Sequence, residues 1–279
     1  MIEAILNYPF MRHALIASIL ASIACGIIGT IIVEKKLVMM CGSISHISFG
    51  GIGLGYFLGF EPIYGALVFA VLSALGISVV NRKSHTKKDV IMGIFWSAGM
   101  ALGVLFISFT PGYPPDMSSY LFGDILTVTA ADLVITGLLV LLVLFVVISL
   151  YRFLEAYMFD TEFSEVLKIN TRGIEILLYI LLALTIVVLI KVVGIILVIA
   201  LLTAPPAIAR FMSDSIKKEM IISVILSTIF CLAGLWLSYE LQISSGATII
   251  MTAALSYLIA IIIRKRGRKV KPENRHKYQ

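Results

Sequence analysis

Charge is scarce in this sequence: Asp, Glu, Lys and Arg together make up 14% of its 279 residues, against 60% hydrophobic residues. With a mean hydropathy of +1.05, that balance excludes a water-soluble domain, which would have to cover a core of this size with polar surface. Cysteine is sparse too. Cys25, Cys41 and Cys231 stand far apart, without CxxC spacing, in or beside apolar segments, a pattern that argues against a disulfide framework or a structural zinc site. The four histidines, His13, His46, His85 and His276, are scattered, with no recognisable nucleophile or HExxH partner nearby, so nothing points to an intramembrane enzyme. A GxxxxGK[ST] phosphate loop is also missing, and any ATP-driven work therefore requires a separate subunit. The methionines, Met39 and Met40 among them, read as filling space in apolar helices rather than as a copper site.

What the chain has in abundance is long apolar runs. The run from Gly173 to Ala209 is interrupted only by Glu175, Lys191 and the Pro205-Pro206 pair; a span needs ~20 apolar residues, so this stretch can cross a bilayer, turn and cross back. Windows of spanning length fall near residues 12–33, 44–60, 62–80, 90–110, 131–152, 174–191, 193–211, 221–240 and 247–263. They predict an all-α, polytopic transmembrane bundle of about eight to nine spans, filling residues 1–263, with a basic tail over 264–279. The first run, about Ala14 to Val33, is as long as a full span and has no basic segment before it, so it is expected to remain rather than be cleaved as a signal. The second window is the weakest, because Gly50, Gly51, Gly53, Gly55 and Gly59 crowd into it; such glycines weaken a helix in water but let backbones meet inside a bundle. Ser118 to Thr129 is too short to cross and reads as a short helix or re-entrant element.

Orientation follows from the basic loops. Arg82, Lys83, Lys87 and Lys88 share one loop, Arg210, Lys217 and Lys218 another, and Arg264, Lys265, Arg266, Arg268, Lys269 and Lys271 the tail; these belong in the cytoplasm, which places the C-terminus there. Alternating spans then put Glu3, Glu61, Asp116 and Glu240 outside. The basic tail is expected to anchor on anionic lipid, with no nucleic-acid partner.

The longest cytoplasmic loop runs from about Phe153 to Arg172. Within it Phe159, Phe163, Val166 and Leu167 keep helical spacing while Glu162, Glu165 and Lys168 fall elsewhere around the helix, which predicts a short amphipathic helix. Two roles are open to it: lying on the membrane surface, or docking into a groove of a cytoplasmic ATPase.

SHISFGGIGLGYFLG (Ser45 to Gly59), YLFGDILTVTAADL (Tyr120 to Leu133), DTEFSEVLKIN (Asp160 to Asn170) and KVVGIILVIALLTAPPAIAR (Lys191 to Arg210) occur in that order. The series resembles the permease subunit of zinc, manganese or iron(II) ABC importers over nearly the whole length. More distantly similar are the permeases for cobalamin and iron-siderophores. The resemblance implies a prokaryotic plasma-membrane protein working as two permeases, a second copy or a homologue, with two cytoplasmic ABC ATPases that use the ATP, fed by an extracytoplasmic metal-binding protein. It implies no resident cofactor, the divalent metal being cargo. By the same resemblance Phe159, Asp160, Glu162, Phe163, Glu165, Val166 and Leu167 form the coupling helix, and Thr203, Pro205 and Pro206 the broken element that lines the pathway or hinges.

Family members commonly carry an Asp one turn before the motif histidine, where this chain has Gly42. Asp and His at i and i+4 would share a helix face and present oxygen and nitrogen to one ion; His46 keeps only the nitrogen, with Ser45 or freed carbonyls as helpers. An ionisable residue inside a span is costly, so His46 is either a pathway residue or a histidine hydrogen-bonded to a neighbouring helix. Asp124 either caps the next short helix or attracts cations at the outer gate. Lys191 is expected to snorkel to headgroups, and Glu175 to complement a helix N-terminus. The proline pair is expected to interrupt its helix, as a packing kink or as a hinge. An ion-coupled carrier is the other transporter class considered, and it should hold several intramembrane carboxylates where this chain has few, with Asp132 at the margin of one span.

Overall fold

The computed structural model describes residues 7–83, 88–111 and 117–269. Helices α1 (Pro9–Glu34), α2 (Val38–Leu58), α3 (Pro62–Lys83) and α4 (Lys88–Ser108) come first, followed by the short α5 (Met117–Phe122) and a 3-10 turn (Ile125–Thr127). Then come α6 (Ala130–Ser149), the short α7 (Tyr151–Phe159) and α8 (Thr161–Val166), and the long α9 (Thr171–Val193), α10 (Ile195–Met212), α11 (Ile216–Leu241) and α12 (Ser245–Lys269). Among the described residues nine helices are long and apolar enough to span a bilayer, namely α1 to α4, α6 and α9 to α12. The protein is thus an all-α, multi-pass bundle at the upper end of the expected span count. Glu3, His85, Lys87, Asp116, Lys271 and His276 lie outside the described residues, as do the side chains of Arg82, Lys83, Lys88, Arg266, Arg268 and Lys269.

Two groups of helices share α9. On one side α2 packs against α3 and α4; on the other α1 packs against α6, α10 and α11, with α12 laid over α10 and α11. The first group rests on glycine. The window of α2 has a mean hydropathy of only 1.3, the lowest of the nine, yet 78% of it is buried, the largest share. Lipid tails offer helices no hydrophobic reward for pairing, so association comes from close backbone contact. Gly51 faces the Gly65 carbonyl directly, and Gly53 faces Gly103. Ser43 adds a cross-helix bond, donating to the Met92 carbonyl of α4 at 2.7 Å.

Buried hydroxyls elsewhere satisfy themselves locally: Ser18, Thr30 and Thr185 each donate to the carbonyl one turn back, at 2.8, 2.8 and 2.7 Å. That is the available solution where no water can serve. The three cysteines are free and buried. Between α9 and α10, Gly194 holds φ +82° and abuts the backbone of Gly123, at φ +67°. Side chains at either place would be strained and would collide, so this pair clamps the segment of α5 and the 3-10 turn onto the turn between two spans.

The proline pair does not break its helix. α10 runs continuously from Ile195 to Met212 with Pro205 and Pro206 buried inside it. Pro206 has no N–H for the Leu202 carbonyl, and that oxygen instead rests against Gly29 of α1, 2.6 Å from where a Cβ would stand. The neighbouring helix thereby supplies the close contact that the helix's own ladder lacks.

Gly51→Leu is expected to push α2 off α3 and to destabilise the bundle by about 1–3 kcal/mol, the usual scale of overpacking. A lowered melting temperature in detergent, with Gly137→Leu as the comparison at a helical position with open space beside it, checks this.

Candidate metal pathway and coupling surface

His46 sits near the middle of α2, half-buried, one turn after Gly42. Two residues of α4, themselves one turn apart, receive it. Its ring stacks on Trp96 at 4.2 Å between centroids and 17° between planes, and its Nδ1 lies 3.1 Å from the Met100 sulfur. Trp96 also occupies the space beside Gly42: a Cβ there would stand 2.6 Å from the indole Cζ3. The missing carboxylate therefore leaves no hole, because the indole has taken its place. Histidine, tryptophan and methionine remain partly exposed at the surface of the chain, where an imidazole facing lipid would be costly. The arrangement presents nitrogen and thioether sulfur, donors softer than oxygen. Among the described residues no group of three His, Cys, Asp or Glu gathers to hold a metal.

The other candidate residues are engaged within their own elements. Ser45 is fully buried, one turn after Cys41 and beside its thiol. Thr203 bonds back to the Ile199 carbonyl at 2.8 Å. Exposed Asp124 caps the 3-10 turn, accepting from the Leu126 N–H at 3.0 Å, which is the first of the two roles considered for it. None of these bonds reaches His46. At the same end the Tyr56 and Tyr120 hydroxyls meet at 3.0 Å and join α2 to α5. Burial, then the Tyr56 hydroxyl and the charge of Glu61, push the Tyr120 phenol well above its ordinary range, so this contact stays neutral.

The opposite end carries the amphipathic segment, in a different form from the single helix expected. Asp160 is extended and accepts from the Glu162 and Phe163 N–H groups at 2.9 and 3.1 Å, so it caps α8 and leaves Phe159 as the last residue of α7. Phe159 is 91% exposed and Val166 78%, with Phe163 and Leu167 also exposed. Glu162 and Glu165 are exposed beside them, and Glu165 accepts from the Thr171 hydroxyl at 3.0 Å. Apolar side chains held outward from a folded chain call for a cover.

Several charged residues were not singled out by the sequence pattern. Glu34, ending α1, pairs with Arg210 of α10 at 3.0 Å. Glu219, buried in the first turn of α11, lies beside both. Lys35 bonds to α7 and α8. Lys191, expected only to snorkel, forms an ion pair with Asp132 at 3.0 Å, and Asp132 also closes a capping box with Thr129 at the start of α6. Glu175 falls beyond the first turn of α9, which holds no acidic residue. The only sequence signal for these groups is a charge at the edge of an apolar run.

Nine helices of spanning length, a partly exposed imidazole midway along one of them and an exposed amphipathic corner at one end describe a polytopic membrane protein. The chain belongs to the ABC 3 transport family, whose model matches residues 7–264. It is 33% identical to the manganese transport system membrane protein MntC of Listeria innocua over 94% of this chain and 93% of that one. It is 40% identical to an uncharacterized membrane protein of Synechocystis, over 95% of each. Among solved structures, a chain of PsaBC from Streptococcus pneumoniae in complex with Fab superposes with a TM-score of 0.86 at 30% identity, covering 96% of this chain and 98% of that one.

Gly42→Asp alone is expected to lower the yield of monodisperse protein, since the carboxylate and the indole compete for one space. Gly42→Asp with Trp96→Ala should restore it. Size-exclusion yield and melting temperature of the two variants decide the point, and equal losses in both would show that the indole is not the obstacle.

Proposed function

We propose that this chain is the permease subunit of an ATP-binding-cassette importer that carries a divalent transition-metal ion across a prokaryotic plasma membrane. Separate cytoplasmic ATPases supply the energy, an extracytoplasmic binding protein delivers the ion, and a second permease copy or homologue completes the pathway. The observation that carries the reading is His46, held half-exposed in mid-span by Trp96 and Met100, in a chain of a transport family whose relatives include a manganese permease. The end bearing α7 and α8, with Arg210, Lys217, Lys218 and Arg264 around it, faces the cytoplasm; there Phe159, Phe163, Val166 and Leu167 dock on the ATPase while Asp160, Glu162 and Glu165 shape and flank the corner. Thr203, Pro205 and Pro206 lie on the helix that moves, and Asp124 stands at the outer entrance.

ATP binding draws the docked corners together and shifts the helices between outward- and inward-facing states. An ion passing His46 exchanges part of its hydration shell for imidazole and then leaves, which requires few ligands and modest affinity.

Elemental analysis of zinc, manganese and iron uptake in importer-deficient bacteria expressing the chain with its own ATPase and binding protein tests this. Uptake of one of these metals is expected, and equally expressed His46→Ala should lower it about tenfold or more, the scale on which single groups at metal sites act. Uptake unchanged in the variant would keep the permease and remove His46 from the path. No uptake of any ion by an assembled complex would point to a chelate as cargo.

A further inference from the structure

The turn between α1 and α2 carries two adjacent charges that reach toward different elements. Glu34 pairs with Arg210, in the last turn of α10, at 3.0 Å. Lys35 turns the other way: its ammonium donates to the Tyr157 carbonyl of α7 at 2.7 Å and to the Thr161 hydroxyl of α8 at 2.8 Å, and it lies 3.8 Å from the centre of the Tyr157 ring. The Tyr157 carbonyl is among the last of its helix, where carbonyls want donors and the negative end of the helix dipole favours a cation. Thr161 is the first residue of α8. One ammonium thus holds both sides of the exposed corner.

The link continues upward without a gap. Along α1, little more than one turn before Glu34, Gly29 lies in backbone contact with Leu202 and Pro206 of α10. A helix joined to its neighbour by a charge pair at the end and a backbone contact one turn higher moves with it as one body, since close-packed interfaces shift in discrete steps rather than deform. At its other end α10 begins at Gly194, which abuts Gly123 of the segment of α5 and the 3-10 turn.

Building on the reading of α7 and α8 as the ATPase-docking corner, we propose that Glu34 and Lys35 form the joint that transmits displacement of that corner to α10. They are positioning residues: neither touches the ion or the nucleotide. The joint makes a distinctive prediction, because breaking it should separate two activities that otherwise run together. Lys35→Met leaves the docking side chains in place but removes the donor to Tyr157 and Thr161, whereas Lys35→Arg keeps a cation there.

The test uses the complete complex, with its ATPases and binding protein, in proteoliposomes, measuring ATP hydrolysis and metal uptake on the same vesicles. In Lys35→Met and in Glu34→Gln, ATPase binding and hydrolysis should stay within about twofold of wild type while ions moved per ATP fall about tenfold, a coupling change of the size that residues between sites produce. Lys35→Arg should recover most of the loss. Thr161→Val, which removes one of the ammonium's two acceptors and leaves the Tyr157 carbonyl in place, gives a smaller loss of the same kind and serves if Lys35→Met does not assemble. Parallel loss of hydrolysis and uptake, or no change in their ratio, would overturn the joint. The docking reading fails separately: if Val166→Asp leaves ATPase binding intact, the corner is not the docking surface, and the joint falls with it.

Discussion

Close backbone contact between helices is the constraint on which the rest of this molecule depends. In lipid an exposed leucine is as comfortable as a buried one, so helices stay together only where they can approach within reach of dispersion and weak Cα–H contacts. The glycines of α2 provide that approach to α3 and α4, at Gly51 against Gly65 and Gly53 against Gly103. Those residues would weaken the same helix in water. Here they set the rotation and height of α2 on α4, which is what brings His46 onto Trp96 and Met100.

The same solvent governs the charges. An unpaired ion near the bilayer core is costly, and two charged side chains at span margins are matched: Glu34 with Arg210, Asp132 with Lys191. The two ends of the bundle are closed by different chemistry. At one end a pair of tyrosine hydroxyls and two abutting glycines hold the short α5 segment. At the other end Glu34, Lys35, Arg210 and Glu219 cluster where α1, α10 and α11 meet α7 and α8.

The site is leaner than the family pattern implies. Gly42 stands where relatives commonly have an Asp, and the structure fills that place with Trp96 rather than with another ligand. What remains partly exposed there is an imidazole with a thioether beside it. The glycine and the indole fit one another: a side chain at position 42 would meet Trp96.

Much of the molecule was legible in one dimension. Hydropathy over ~20 residues marks a span because bilayer thickness sets its length, so the nine spans, the multi-pass architecture and the weak glycine-rich second helix could be read directly, as could a lone histidine in an apolar run. The amphipathic corner showed its apolar residues by local spacing, although the break at Asp160 did not show, because capping by that side chain depends on the backbone it adopts. The proline pair misled: a broken ladder is a local expectation, and the backbone contact with Gly29 that lets α10 continue lies on another helix. The sequence by itself thus determined the solvent, the number of crossings to within one, and the candidates. Tertiary structure alone decided which side chains meet, His46 with Met100, Lys35 with Thr161 and Lys191 with Asp132, because those pairs are tens of residues apart in the chain and only helix packing makes them neighbours.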